Sequence, residues 1–188
     1  MAQQELLKYT VETLDRAGID YMVTGSIVSS LQGEPRSTHD LDVVVTIKPA
    51  HIPALLAAFS RPRYYVAEEA IREAMRTGGV FNVIDTVEGD KVDFWMLTDS
   101  EFDRSRFARR YEEEVLGFRL KVSSPEDTIL AKLRWANMSG GSDRYVRDAL
   151  GVYEVQAARL DLAYLTEWAR RLGVADLLEQ IQQEAEQL

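Results

Sequence analysis

The sequence predicts an α+β fold, with an α/β first part reaching to about Val122 and a C-terminal helical segment after it. Three observations carry this prediction. Helical and strand-like spacings of apolar residues alternate up to residue 122. The run Asp40-Leu41-Asp42-Val43-Val44-Val45 ends in consecutive apolar residues, the pattern of a strand buried on both faces. After Ser123 only helical spacing remains. The chain has 188 residues, 46% of them hydrophobic, enough for one core with a small extension. The expected organisation is a core over residues 1–122 and a helical region over 123–188 packed on it.

Each element has a local reason. Leu6, Leu7, Val11 and Leu14 recur at helical spacing over residues 3–17, and Gly18 supplies a C-cap. A short strand follows at 19–24, then one or two helical turns at 27–31. Residues 33–39 form a polar loop around Pro35. A strand at 40–47 leads to helices at 49–59 and 66–76, the second stopped by Gly78-Gly79. Strands at 80–87 and 91–97 flank Glu88-Gly89-Asp90, a hairpin signal. Residues 100–110 read as a helix in which Ser100 and Asp103 form a capping box. A last hairpin at 112–122 turns at Leu116-Gly117. Ser124-Pro125-Glu126-Asp127 combines an N-cap, a first-turn proline and an acid, and opens the first tail helix. Further helices follow at 143–157, 161–172 and 174–186, with Gly140-Gly141-Ser142 as a short linker. No internal repeat is present.

Composition narrows the function. There are no cysteines, which excludes disulfides, zinc–thiolate sites and thiol catalysis, and agrees with a cytoplasmic location. No apolar stretch is long enough to span a membrane, and the N-terminus lacks a signal-peptide pattern. A net charge of −9 weighs against a long nucleic acid as partner, although Arg104, Arg106, Arg109 and Arg110 are candidates for a local basic patch.

The chemistry concentrates in Gly25 to Val45, GSIVSSLQGEPRSTHDLDVVV. Residues two apart on a strand share a face, so Asp40 and Asp42 project together. Like charges so placed call for a neutralising partner, and a hard divalent cation suits carboxylate oxygens. A strand cap plus an exposed edge residue would give the same letters. Gly25-Ser26 joins a strand to a helix. Glycine admits close backbone approach, and a helix N-terminus offers N–H groups to an anion. A turn glycine with an N-cap serine reads the same way. Asp93 is a carboxylate inside Lys91-Val92-Asp93-Phe94-Trp95. Lys91, Asp93 and Trp95 share a face, and beside Asp40 and Asp42 this residue would complete a three-carboxylate cluster.

Gly25-Ser26, Arg36-x-Thr38-x-Asp40-x-Asp42 and the later strand residue Asp93 together resemble the nucleotidyltransferase superfamily of the DNA polymerase beta fold. Within it, the chain resembles the small bacterial members, which include minimal nucleotidyltransferases, antibiotic nucleotidyltransferases, and toxins of abortive-infection and toxin–antitoxin systems. The motif-bearing match spans residues 19–94. In the tail, Ser124-Pro125-Glu126-Asp127 leading to Lys132, and Arg144 followed by Asp148, are similar to the helical segment that often follows.

The resemblance implies a mixed sheet flanked by helices. It implies that Asp40, Asp42 and Asp93 bind Mg²⁺, or Mn²⁺ in its place, and carry catalysis. Gly25, Ser26, Arg36, Thr38, Lys132 and Arg144 become nucleotide- and phosphate-binding positions. The implied reaction moves a nucleoside monophosphate from a nucleoside triphosphate to a hydroxyl on a small molecule, a protein or an RNA end, releasing pyrophosphate. Two alternatives share these residues: a toxin working beside an antitoxin partner, and a nucleotide-binding module without turnover. A homodimer through the tail is also compatible with the sequence.

His39 carries no assigned role. Arg144 and Asp148, four apart, equally suit an ordinary helix ion pair, and Lys132 equally suits pairing with Glu126 or Asp127. Trp95, Trp135 and Trp168 are expected to pack in the core or between helices. The charged segments 60–65 and 139–143 are candidates for acceptor contacts.

Overall fold

The computed structural model describes residues 2–38, 40–115 and 117–186. His39 in the predicted polar loop and Leu116 in the predicted last turn lie outside the described residues. The chain divides into two compact units. The first comprises Met1–Val23 and Thr38–Val122, and the second Thr24–Ser37 and Ser123–Leu188. Residues 24–37 therefore group with the late helices, a feature that a single cut at residue 122 does not contain. Among the described residues no helix is long and apolar enough to cross a membrane.

Seven strands form one mixed sheet: β1 (Tyr21–Thr24), β2 (Asp40–Val45), β3 (Tyr64–Tyr65), β4 (Val80–Asp85), β5 (Lys91–Met96), β6 (Tyr111–Val115) and β7 (Phe118–Val122). Their order is β3-β4-β5-β2-β1-β7-β6. β2 runs parallel to β5 and β1 parallel to β7, whereas β3/β4, β4/β5 and β6/β7 are antiparallel. The two hairpins follow from their turn chemistry. Gly89 and Gly117 both adopt positive φ, at 78° and 80°, which glycine alone takes without strain. The first turn is also pinned from below. Buried Asp85 accepts hydrogen bonds from the Val87 and Glu88 backbone N–H groups and pairs with Arg63.

One sheet face carries the main core of the first unit. α1 (Ala2–Ala17) buries Leu6, Leu7, Val11 and Leu14, and Gly18 ends it with a φ of 65°. Phe59, Phe81 and Phe94 meet at the centre, with the Phe81 and Phe94 rings stacked 4.9 Å apart. Tyr9 stacks on Tyr64 and meets Phe59 edge-on. Met22 and Val44 pack instead with Phe107 of α5 (Glu101–Ala108), joined by Trp95 and Leu97. Ser100 caps α5 as its sequence suggests, accepting from the Asp103 N–H.

Two local expectations shift. The helix expected at 49–59 is a 3-10 turn at Pro49–His51 followed by α3 (Ile52–Ala58). Pro53 has no N–H to continue a helix begun at Pro49, so the α-helix restarts around it. The helix expected from residue 66 is α4 (Glu68–Thr77), preceded by the two-residue strand β3, too short for any periodicity.

The second unit is helical. α2 (Gly25–Gln32), α6 (Pro125–Met138), α7 (Asp143–Gln156), α8 (Leu162–Leu172) and α9 (Ala175–Ala185) bury Val28, Ile129, Leu133, Val152, Leu165 and Ile181. Buried Asp127 ties this unit together. It accepts from the Ser124 hydroxyl and from the Tyr164 hydroxyl, each at 2.7 Å. Gly33 lies against α7 so closely that an added Cβ would fall 2.6 Å from the Val152 nitrogen.

Candidate active site

The parallel register of β2 and β5 sets Asp40 opposite Lys91 and Asp42 opposite Asp93. The pleat turns these side chains to one face, while Leu41, Val43, Val92 and Phe94 are buried on the other. Antiparallel β4 adds Asn82 opposite Asp93. Three carboxylates thus share a rigid patch on two adjacent strands.

Each acid is held. The Asn82 amide donates to Asp93 Oδ1. Lys91 Nζ lies 2.9 Å from Asp93 Oδ2 and 3.6 Å from Asp40 Oδ1. Those two oxygens are therefore separated by less than the sum of the two distances. The Trp95 indole N–H donates to Asp42 Oδ1 at 3.1 Å. The Thr38 hydroxyl donates to the Asp40 carbonyl, and the Asp40 N–H donates back to it, so Thr38 sets the entry into β2. The Asp40 side chain is 60% exposed and that of Asp93 13%, so the row opens to solvent at Asp40. The hydrogen bond to Asp93 raises the Lys91 pKa above the usual lysine range; burial opposes the rise, and the charges of Asp93 and Asp40 add to it.

Among the described residues no group of three or more His, Cys, Asp or Glu side chains is arranged, as they stand, to hold a metal ion. The donor chemistry nevertheless fits one. The set is all oxygen, as a hard divalent cation prefers. A cation, the Lys91 ammonium, already stands in between Asp40 and Asp93.

A second cluster lies within the helical unit. α2 begins at Gly25, whose φ of 72° accounts for glycine before Ser26. Thr24 makes no side-chain hydrogen bond to the first turn, leaving its N–H groups without a cap from that residue. The Ser26 hydroxyl accepts from Arg36 Nη2 at 2.6 Å and from Lys132 Nζ at 3.2 Å. Both cations also grip Asp148. Arg36 binds it through two nitrogens, each at 2.8 Å, and Lys132 Nζ lies 2.6 Å from Oδ2. The Lys132 and Asp148 side chains are nearly buried.

Burial alone would push the Asp148 carboxyl up. The Arg36 and Lys132 hydrogen bonds and charges outweigh it and hold the carboxyl below its ordinary value. Asp148 in turn holds the Arg36 guanidinium above its own. Arg36 and Lys132 thus converge on Asp148 and on the Ser26 hydroxyl at the start of α2.

No protein-family profile matches the sequence, and no curated protein matches it. Solved structures do resemble it. A nucleotidyltransferase-like antigenic protein from Paracoccidioides brasiliensis superposes with a TM-score of 0.56 at 19% identity, over 91% of this chain and 90% of that one. ANT(2'')-Ia in complex with adenylyl-2''-tobramycin gives 0.62 at 13% identity, over 92% of this chain and 97% of that one. The fold is that of the nucleotidyltransferases. The lincosamide antibiotic adenylyltransferase LnuA, lincomycin-bound, shares this nucleotidyltransferase fold at a TM-score of 0.55 and 9% identity, over 79% of this chain and 95% of that one.

Within the nucleotidyltransferase fold the singled-out residues fall into distinct places. Asp40, Asp42, Asp93 and Thr38 belong to the β2–β5 patch. Gly25, Ser26, Arg36 and Lys132 belong to the helical cluster. Arg144 is exposed on α7 and joins no hydrogen bond or ion pair of that cluster. Its expected partner Asp148 pairs with Arg36 and Lys132 instead. Lys132 likewise pairs with Asp148 across α6 and α7.

Trp95 packs at the patch and donates to Asp42, and Trp168 is buried, but Trp135 is 44% exposed. Of the basic patch, Arg106 pairs with Asp103, and Arg110 pairs with Asp20 and covers the Phe107 ring. Of the candidate acceptor segments, 60–65 contains β3, and 139–143 joins α6 to α7. Three contributors lay beyond the sequence reading: Lys91 as a bridge, Asn82 as an orienting donor, and Asp148 as the anchor of Arg36 and Lys132. The period-two spacing already set Lys91 on the face of Asp93, but its bridge to Asp40 needed the β2–β5 register.

Proposed function

We propose that this protein is a metal-dependent nucleotidyltransferase that moves a nucleoside monophosphate from a nucleoside triphosphate to an acceptor hydroxyl. The observation that carries the reading is the register-matched set Asp40, Asp42 and Asp93 on β2 and β5 of this fold. These three carboxylates would hold Mg²⁺, or Mn²⁺ in its place. The bound ion supplies charge neutralisation of the triphosphate and of the leaving pyrophosphate.

The chain's own residues do the rest. Trp95 and Asn82 restrain the rotamers of Asp42 and Asp93, which limits the reorganisation these two acids undergo. Ser26, Lys132 and Arg36, with the first turn of α2, are the phosphate donors. Asp148 orients the two cations. The acceptor oxygen forms a bond to the α-phosphorus while the bond from that phosphorus to the bridging oxygen breaks. Pyrophosphate leaves, and Asp93 takes the acceptor proton. Arg144 is an outlying nucleotide contact on α7.

ANT(2'')-Ia is described with an adenylylated aminoglycoside and LnuA as an adenylyltransferase with bound lincomycin. ATP is accordingly the first donor to use, with hydroxyl-bearing small molecules as acceptors. The test follows label from ATP carrying ³²P at the α or the γ position. Transfer of α-label alone, with matching pyrophosphate and loss in Asp42→Asn, supports the reading. Transfer of γ-label would make the protein a kinase and overturn it.

A further inference from the structure

The β2–β5 patch holds a feature that nucleotidyl transfer does not itself require. A lysine stem rises from the same strand face as Asp93 and places its ammonium between two of the three acids. We propose that Lys91 is an internal counter-cation that occupies the divalent-metal position between Asp40 and Asp93 and is displaced when the metal binds. This inference rests on the metal-dependent reading given above.

Three observations lead to it. First, the register leaves Asp40 directly opposite Lys91 and Asp42 directly opposite Asp93. Without a cation, three carboxylates on neighbouring strand positions would repel one another. Second, the ammonium contacts both outer members of the set, 2.9 Å from Asp93 and 3.6 Å from Asp40. Third, the Asp40 end of the bridge is weakly held. Lys91 is 35% and Asp40 60% exposed, so their attraction is solvent-screened, and the four-carbon stem is flexible. Asn82 still holds the other oxygen of Asp93, so that carboxylate keeps its orientation when Lys91 leaves. A divalent ion carries twice the charge and binds both acids at shorter range, so it wins the competition at a reduced apparent affinity.

Mn²⁺ titration followed by the electron paramagnetic resonance of the free ion tests this directly. The proteins compared are the full chain, Lys91→Met, Lys91→Arg and the double variant Asp40→Asn/Asp42→Asn. Lys91→Met is expected to bind Mn²⁺ about tenfold more tightly than the parent, and Lys91→Arg about as weakly. Mn²⁺ should also raise the melting temperature of Lys91→Met more than that of the parent. Should the methionine variant fold poorly, Lys91→Gln serves in its place.

Binding by the parent that is lost in the double variant but unchanged in Lys91→Met would overturn this inference and leave the metal-dependent reading standing. Absence of Mn²⁺ binding at millimolar concentration in every protein would overturn both.

Discussion

Asp148 shows how much a single carboxylate can carry. Its partners Arg36 and Lys132 come from two other segments, and Lys132 is almost fully buried. Removing the negative charge leaves an ammonium and a guanidinium crowded around a serine hydroxyl. Asp148→Asn should therefore lower stability by about 3 kcal/mol, read as a fall in the urea midpoint. The pH dependence follows from the direction of the shift. A carboxyl with a lower pKa in the folded state contributes stability above its ordinary range, and that contribution is lost as pH falls through the folded value. The parent should lose stability on acidification below about pH 4, and Asp148→Asn should lose less over the same window.

Tyr21 gives the opposite limb. Burial first, then the charge of Asp15, pushes its pKa up from 10.0 to about 12. A raised folded value means stability complete below pH 10 and lost as pH rises toward 12. Tyr21→Phe should flatten that loss in alkaline denaturation curves.

At the scale of elements, close contact between helices is set by the smallest residues. Gly33 ends α2 against the backbone of Gly151 and Val152, where a methyl group would meet main-chain atoms at 2.6 to 2.9 Å. Backbone cannot rotate aside as a long side chain can. Gly33→Ala should cost about 1–3 kcal/mol by forcing α2 from α7. Circular dichroism melts check this. The same variant should blunt the response to Asp148→Asn, since Arg36 follows Gly33 by three residues. Non-additivity in the double-mutant cycle reads that coupling.

Elements also show what could be read beforehand. The Val43–Val44–Val45 run, the Gly89 turn and the Ser124 cap announce themselves because their causes are local: burial on both faces, positive φ, and a side chain bonded three residues on. β3 escaped because two residues carry no period. The pairing of Asp148 with Arg36 escaped because 112 residues separate them and an i,i+4 partner, Arg144, was nearer at hand. That Asp40, Asp42 and Asp93 share a patch needed the β2–β5 register, which no stretch of either strand encodes alone. The family pattern supplied the pairing, and it did not reveal that Lys91 and Asn82 come with it.

At the scale of the whole molecule, the first unit carries the oxygen donors proposed for a cation, and the helical unit carries Ser26, Arg36 and Lys132, the proposed phosphate donors. Under the proposed function the two groups of residues make separable demands on nucleotide binding. Lys132→Met should weaken nucleotide binding with or without metal, because it removes a proposed phosphate donor. Asp42→Asn should weaken only the metal-dependent part. The measurement that tests the central claim most directly is calorimetric titration of ATP, GTP, CTP and UTP, with and without Mg²⁺, into the protein and into Asp40→Asn/Asp42→Asn. Mg²⁺-dependent binding of at least one nucleotide, abolished in the folded double variant, is the predicted result. Binding that is indifferent to both the metal and the two aspartates, or no binding at all by the folded protein, would contradict it.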